Sequence, residues 1–117
     1  MAAQFDLKLS KNAKHFFTLT AANGEVILTS QMYASRVGAR KGIASVQGNA
    51  EIRGRYEERK GTRGKMHFVL KAGNHRVIGT SQVYSTPKAM EKGIKSVQKN
   101  GKAKKVVIGE GNKFKKR

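Results

Sequence analysis

Asn23-Gly24-Glu25-Val26-Ile27-Leu28-Thr29-Ser30-Gln31-Met32-Tyr33 occurs twice in this chain, and the second occurrence is Asn74-His75-Arg76-Val77-Ile78-Gly79-Thr80-Ser81-Gln82-Val83-Tyr84. The offset is 51 positions and holds without a gap on both sides. Downstream, Gly42-Ile43-Ala44-Ser45-Val46-Gln47-Gly48-Asn49 becomes Gly93-Ile94-Lys95-Ser96-Val97-Gln98-Lys99-Asn100; upstream, Phe17-Thr18-Leu19-Thr20-Ala21 becomes Phe68-Val69-Leu70-Lys71-Ala72. Half of the positions from Lys14 to Asn49 are identical in the second copy. A fixed-period self-match of this length means that one supersecondary unit is built twice.

Within each copy the hydrophobic period changes once. Phe5, Leu7 and Leu9 alternate with polar residues, and so do Phe17, Leu19 and Ala21, which is the pattern of half-buried strands. Between the second and third strands stands Asn23-Gly24, a strong hairpin signal because both residues accept positive φ. After Tyr33 the period lengthens. Ser35 is the expected N-cap of a helix whose inner stripe is Ala39, Ile43 and Val46, with Gly42 in the same stripe. In copy two, Thr86-Pro87 opens the helix, Met90, Ile94 and Val97 form its stripe, and Gly101 is expected as the left-handed residue that ends it. The first-strand slot of copy two, Arg53 to Arg59, offers only Tyr56 as an apolar residue, so this strand is expected at a sheet edge. Val106-Val107-Ile108 reads as one further short strand.

Each unit is therefore βββα, too small to bury a core alone, and two units packed together solve that. The expected fold is α+β: two tandem βββα repeats in one pseudo-twofold body, with antiparallel sheets and one helix per repeat. The repeats span 1–52 and 53–108, and a basic tail follows over 109–117.

The residues just quoted resemble the YegP-like family of small bacterial proteins built from a tandem βββα repeat. The resemblance rests on Ala21-Ala22-Asn23-Gly24-Glu25-Val26-Ile27-Leu28-Thr29-Ser30, Tyr33 and Gly42 to Gln47 with their partners in copy two, and covers about residues 4–108. It implies the α+β fold and brings no catalytic motif with it. Set against that family the chain is unusually basic. Arg53 to Arg59, the loop Lys60 to Lys65 and the segment Lys102 to Arg117 look like additions to the shared scaffold.

Charge supplies the functional expectation. The chain carries 25 Lys and Arg against 7 Asp and Glu, a net charge of +18. Residues 1–50 hold +4 of it and residues 51–117 hold +14. Solubility does not require such a bias, and a polyanion does. Three groups contribute: Arg53, Arg55, Arg59, Lys60, Arg63 and Lys65 around the crossover; Lys88, Lys92, Lys95 and Lys99 on one helix face; and Lys102, Lys104, Lys105, Lys113, Lys115, Lys116 and Arg117 at the C-terminal end. No helix-turn-helix, zinc-finger or zipper spacing is present, and the aromatic pattern of an RNA-recognition domain is missing. Backbone and shape recognition remain. The expectation is a non-catalytic RNA-binding protein of a ribonucleoprotein, specifically a cytoplasmic, ribosome-associated one, with rRNA and neighbouring ribosomal proteins as partners. Two other readings stand beside it: a DNA-compacting protein, and a soluble stress-linked interaction module without nucleic acid.

Other chemistry finds little support. Without cysteine there is no disulfide framework or thiolate site. His15, His67 and His75 fall on separate elements without an acidic cluster, so no metal site is expected. Ser30 and Ser81 lack a neighbouring base and are read as satisfying backbone groups at the strand exits. The glycines of the 61–64 loop do not match a phosphate-loop pattern. No apolar run approaches the roughly 20 residues of a membrane span. No cofactor and no small-molecule substrate are expected.

Overall fold

A computed structural model of the protein describes residues 2–108. The chain order is β1 (Gln4–Leu9), β2 (His15–Thr20), β3 (Val26–Thr29), α1 (Arg36–Asn49), β4 (Tyr56–Lys60), β5 (Met66–Lys71), β6 (Val77–Thr80), α2 (Pro87–Asn100) and β7 (Val106–Ile108). The two βββ units join edge to edge into one seven-stranded sheet of order β4-β5-β6-β3-β2-β1-β7. The joint is antiparallel at Thr29↔Thr80, residues 51 apart in sequence, so the pseudo-twofold axis passes through the sheet between β3 and β6. β7 adds the single parallel pairing, Phe5↔Val106, and thus closes the outer edge of the first repeat although it follows the second. β4 is the opposite edge, as its sequence led one to expect.

Alternation along each strand sorts the two sheet faces. Phe5, Leu7, Phe17, Leu19, Leu28, Phe68 and Leu70 are buried beneath the helices. Ala39, Gly42, Ile43 and Val46 of α1, and Met90, Gly93, Ile94 and Val97 of α2, supply the other half of the core. Burying such side chains is worth about 1.5–3 kcal/mol each, so this layer is the main source of stability. Leu9 was expected inward and is 37% exposed, because it pairs with His15 at the far end of the β1–β2 hairpin, away from the main core.

Both helices begin as their sequences predict. The Ser35 hydroxyl accepts from the Gly38 amide at 3.0 Å, and the Thr86 hydroxyl accepts from the Ala89 amide at 3.0 Å. The Asn23-Gly24 hairpin forms as its sequence predicts, with a single left-handed residue. Only Gly24 has positive φ, 87°. The loop is closed by Gly24 N–H to Ala21 O and Ala21 N–H to Glu25 O, each 2.9 Å, and the Asn23 side chain accepts from the Glu25 amide. A turn followed by one left-handed residue is the three-residue hairpin solution, which asks positive φ of one position and not two. Gly101 differs from expectation: its φ is −66°, still right-handed. A Cβ there would lie 2.3 Å from the Ala50 Cβ, so close packing, and not a left-handed helix end, requires the glycine.

Candidate nucleic-acid interface

The basic residues named from the sequence separate into two groups with different surroundings. Arg53 and Arg55 form a short 3₁₀ turn before β4 instead of part of a strand. Arg53 is engaged by Glu58 at 3.2 Å and Glu91 at 3.1 Å, and its guanidinium lies 6.0 Å from the Tyr56 ring centre. Arg59 pairs with Glu57 at 3.1 Å, and Lys71 reaches the same carboxylate. The Lys71 ammonium first, then the Arg59 guanidinium, hold Glu57 below the usual carboxylate range. Arg55 turns inward: its Nε donates to Asn49 Oδ1 at 3.0 Å, and its guanidinium sits against Gly73. Lys60, Arg63 and Lys65 are exposed around the turn Thr62–Gly64, where Arg63 has φ of 56°. This end of the molecule is basic in composition but partly neutralised by its own carboxylates.

The second group is different. α2 lays Met90, Ile94 and Val97 on the sheet, which turns Lys88, Lys92, Lys95 and Lys99 to solvent over about 16 Å of helix. The pseudo-twofold brings this face beside the β2–β3 turn of the first repeat. Between them lies a cleft of about 430 Å³ walled by Ala21, Ala22 and Asn23 on one side and Lys92, Lys95, Ser96, Lys99 and Asn100 on the other. A second cleft of about 350 Å³ shares Lys99 and Asn100 and continues past Lys102, Lys104 and Lys105. Six lysines thus border two adjoining clefts, and among the described residues no acidic side chain lines either of them. Among the described residues Lys102 alone of the six is paired, with Glu51. Lys88 is exposed on the same helix but borders neither cleft. Lys113, Lys115, Lys116 and Arg117 lie outside the described residues.

Two contributors to the clefts had no sequence signal. The Ala21–Asn23 wall belongs to the less basic repeat, and only the twofold packing carries it to α2. Asn100 looked like a helix end and nothing more. Its Nδ2 donates to Ser96 O at 2.9 Å and to Ser96 Oγ at 3.2 Å, which fixes the amide and leaves Oδ1 without a partner among the described residues.

The remaining candidates are accounted for by structure. Ser30 Oγ accepts from Phe17 N–H at 2.9 Å and donates to Gln31 O at 2.8 Å; Ser81 does the same with Phe68 N–H and Gln82 O. Both hydroxyls are committed to the backbone. Tyr33 and Tyr84 stack on Phe17 and Phe68, with ring centres 6.3 and 6.2 Å apart, so neither offers a free face to a base on that side. Burial raises the Tyr33 and Tyr56 phenols above their ordinary range, and both remain neutral hydroxyls. Among the described residues, no group of three or more His, Asp or Glu is placed to hold a metal ion, and no helix is long and apolar enough to cross a membrane.

Comparison with known proteins agrees with the duplicated architecture. A family model described as a domain of unknown function, DUF1508, matches twice, over residues 10–57 and 62–107. The UPF0339 protein YegP of Yersinia pestis is 50% identical over 97 residues, covering 83% of this chain and 87% of that protein. YegP of Escherichia coli K12 is 47% identical over 106 residues, covering 91% and 96%. Two solution NMR structures superpose closely: a UPF0339 protein of Shewanella oneidensis, with TM-score 0.86, 46% identity and 92% of each chain covered, and yegP of E. coli, with TM-score 0.88, 46% identity and 93% and 94% covered. With the family model matched in both repeats, and relatives at half identity over most of their length, the chain belongs to the DUF1508 family of UPF0339, YegP-like tandem-repeat proteins.

Proposed function

We propose that the protein is a non-catalytic, cytoplasmic RNA-binding component of a ribonucleoprotein, with the ribosome as the particle and rRNA as the partner. The observation that carries this reading is the set of Lys92, Lys95, Lys99, Lys102, Lys104 and Lys105 around two adjoining clefts, of which only Lys102 has a carboxylate partner among the described residues. Five of these lysines have no ion-pair partner among the described residues, and a phosphate backbone neutralises such a row of like charges while releasing its own condensed cations. The clefts have no aromatic in their walls, so they are suited to phosphates and sugars and not to stacked bases. Lys60, Arg63 and Lys65, exposed around the Thr62–Gly64 turn, add positive charge outside these clefts.

The test is a salt titration of binding to rRNA fragments. The full chain is expected to bind at about 50 mM salt and to weaken steeply as salt rises. Replacing Lys92, Lys95 and Lys99 together by glutamine is expected to flatten the slope of log K against log salt by about 2, since each lost phosphate contact removes somewhat less than 1 from it. The three side chains are exposed, so the fold is expected to survive. Absence of binding at low salt, or an unchanged slope in the triple variant, defeats the proposal.

A further inference from the structure

The two halves of the molecule build the same corner between a helix end and a hairpin turn, and differ in what occupies it. Around α2 it lies between the β2–β3 turn and Lys92, Lys95, Ser96, Lys99 and Asn100, and it is open. The pseudo-twofold carries these residues onto Lys41, Ala44, Ser45, Gly48 and Asn49 of α1, beside the β5–β6 turn with Ala72, Gly73 and Asn74. The twin asparagines have the same pose. Asn49 Nδ2 donates to Ser45 O at 2.8 Å, just as Asn100 Nδ2 donates to Ser96 O at 2.9 Å. They differ in what their carbonyl oxygens receive. At the matching place by α1 stands Arg55, donating its Nε–H to Asn49 Oδ1 at 3.0 Å with its guanidinium beside Gly73. Position 106, which matches Arg55 in the repeat, is a valine within β7, and its side chain has no donor to give. Asn100 Oδ1 has no hydrogen-bond partner among the described residues.

The chain therefore shows, within itself, that this corner accepts a hydrogen-bond donor on the asparagine oxygen. In the open copy, Lys95 and Lys99 replace Ala44 and Gly48, so positive charge is added where the arginine is gone. The matching ligand carries an anion and, beside it, a hydroxyl that donates. A ribose-phosphate backbone does so through its phosphate and 2′-hydroxyl; a deoxyribose backbone lacks the hydroxyl, the group by which proteins distinguish RNA from DNA. We infer that the cleft between α2 and the β2–β3 turn reads ribose, with Asn100 Oδ1 accepting from a 2′-hydroxyl while Lys92, Lys95 and Lys99 hold the adjoining phosphates. This rests on the RNA-binding reading above and adds a sugar-selective contact to it.

The full chain is titrated with one stem-loop in three forms: RNA, its fully 2′-fluoro analogue, and DNA of the same sequence. The fluoro strand keeps the RNA helix form and size but has no hydroxyl to donate. RNA is expected to bind about threefold to tenfold more tightly than the fluoro strand, the span of one hydrogen bond. Asn100→Ala is expected to bring RNA down to the fluoro level and to leave fluoro binding as it was. Asn49→Ala loses the equivalent helix-end bonds and is expected to keep the preference, which separates sugar reading from damage to a helix terminus. Equal affinity for RNA and the fluoro strand in the unaltered protein overturns the inference and leaves the proposed function standing; so does an undiminished preference in Asn100→Ala. Failure to bind any of the three overturns both.

Discussion

His75 holds a φ of 72° at the place where the first repeat has Gly24 at 87°. A side chain with a Cβ pays about 1–2 kcal/mol to sit in that region, and glycine does not. Replacing His75 by glycine is therefore expected to stabilise the protein, by about 0.5–1 kcal/mol once the greater freedom of glycine in the unfolded chain is subtracted. Chemical denaturation read by circular dichroism checks the sign. A second residue is set against its twin in the same way. Thr18 is 5% exposed, and its Oγ1 is buried without a hydrogen-bond partner among the described residues. The same place in copy two is Val69, equally buried and with no polar atom to satisfy. A stranded hydroxyl costs about 1–3 kcal/mol. Thr18→Val, nearly the same in shape, is expected to raise the melting temperature by about 4 °C. A fall would mean that the hydroxyl is satisfied after all.

Each helix carries a glycine that helix propensity alone would reject by roughly 1 kcal/mol against alanine. A Cβ on Gly42 would stand 2.3 Å from the Tyr33 hydroxyl oxygen and 2.9 Å from the Phe17 ring; on Gly93 it would stand 2.1 Å from the Tyr84 hydroxyl oxygen. Gly42→Ala is thus expected to destabilise by about 1–3 kcal/mol despite its better propensity, because the stacked Tyr33 and Phe17 rings must shift. An equilibrium unfolding curve of the variant, run beside an exposed control such as Gly48→Ala, separates packing from propensity. The elements themselves were readable from sequence, since Phe5, Leu19, Ile43 and Val46 write period and burial directly into the chain. The interface was readable only as a composition. Lys92, Lys95 and Lys99 announce an exposed face, but that it forms one wall of a cleft depends on which turn the twofold sets opposite α2. Arg55 and Asn100 were invisible as a pair of opposites, since one becomes a donor in its corner and the other an acceptor without one only after the two repeats are joined. Gly101 was recognised as a special position for a backbone reason that proved not to be the right one.

The whole molecule is a duplicated unit folded onto its own copy, and this makes the pseudo-twofold axis a place of steric conflict. Two equivalent residues that meet there compete for one space. Leu28 and Gly79 are such equivalents: a Cβ on Gly79 would lie 2.6 Å from Leu28 Cγ and Cδ2. Ala50 and Gly101 are another pair, 2.3 Å from Cβ to the place a second Cβ would take. At both points one half has kept a side chain and the other has become glycine, a solution open to fused repeats and closed to a dimer of identical single repeats. It makes no difference to the core which half supplies the leucine. Leu28→Gly alone empties a fully buried site and is expected to cost about 3–5 kcal/mol, a large part of the 5–15 kcal/mol that holds such a domain together. Gly79→Leu alone forces two leucines into one space and is also expected to destabilise, by about 1–3 kcal/mol or more. The double exchange, Leu28→Gly with Gly79→Leu, places one leucine at the axis from the other side and is expected to recover most of the loss. The coupling energy from unfolding curves of the four proteins measures this directly. Losses that merely add would show that the two positions do not share a space, and the twofold packing of the sheet through β3 and β6 would be wrong.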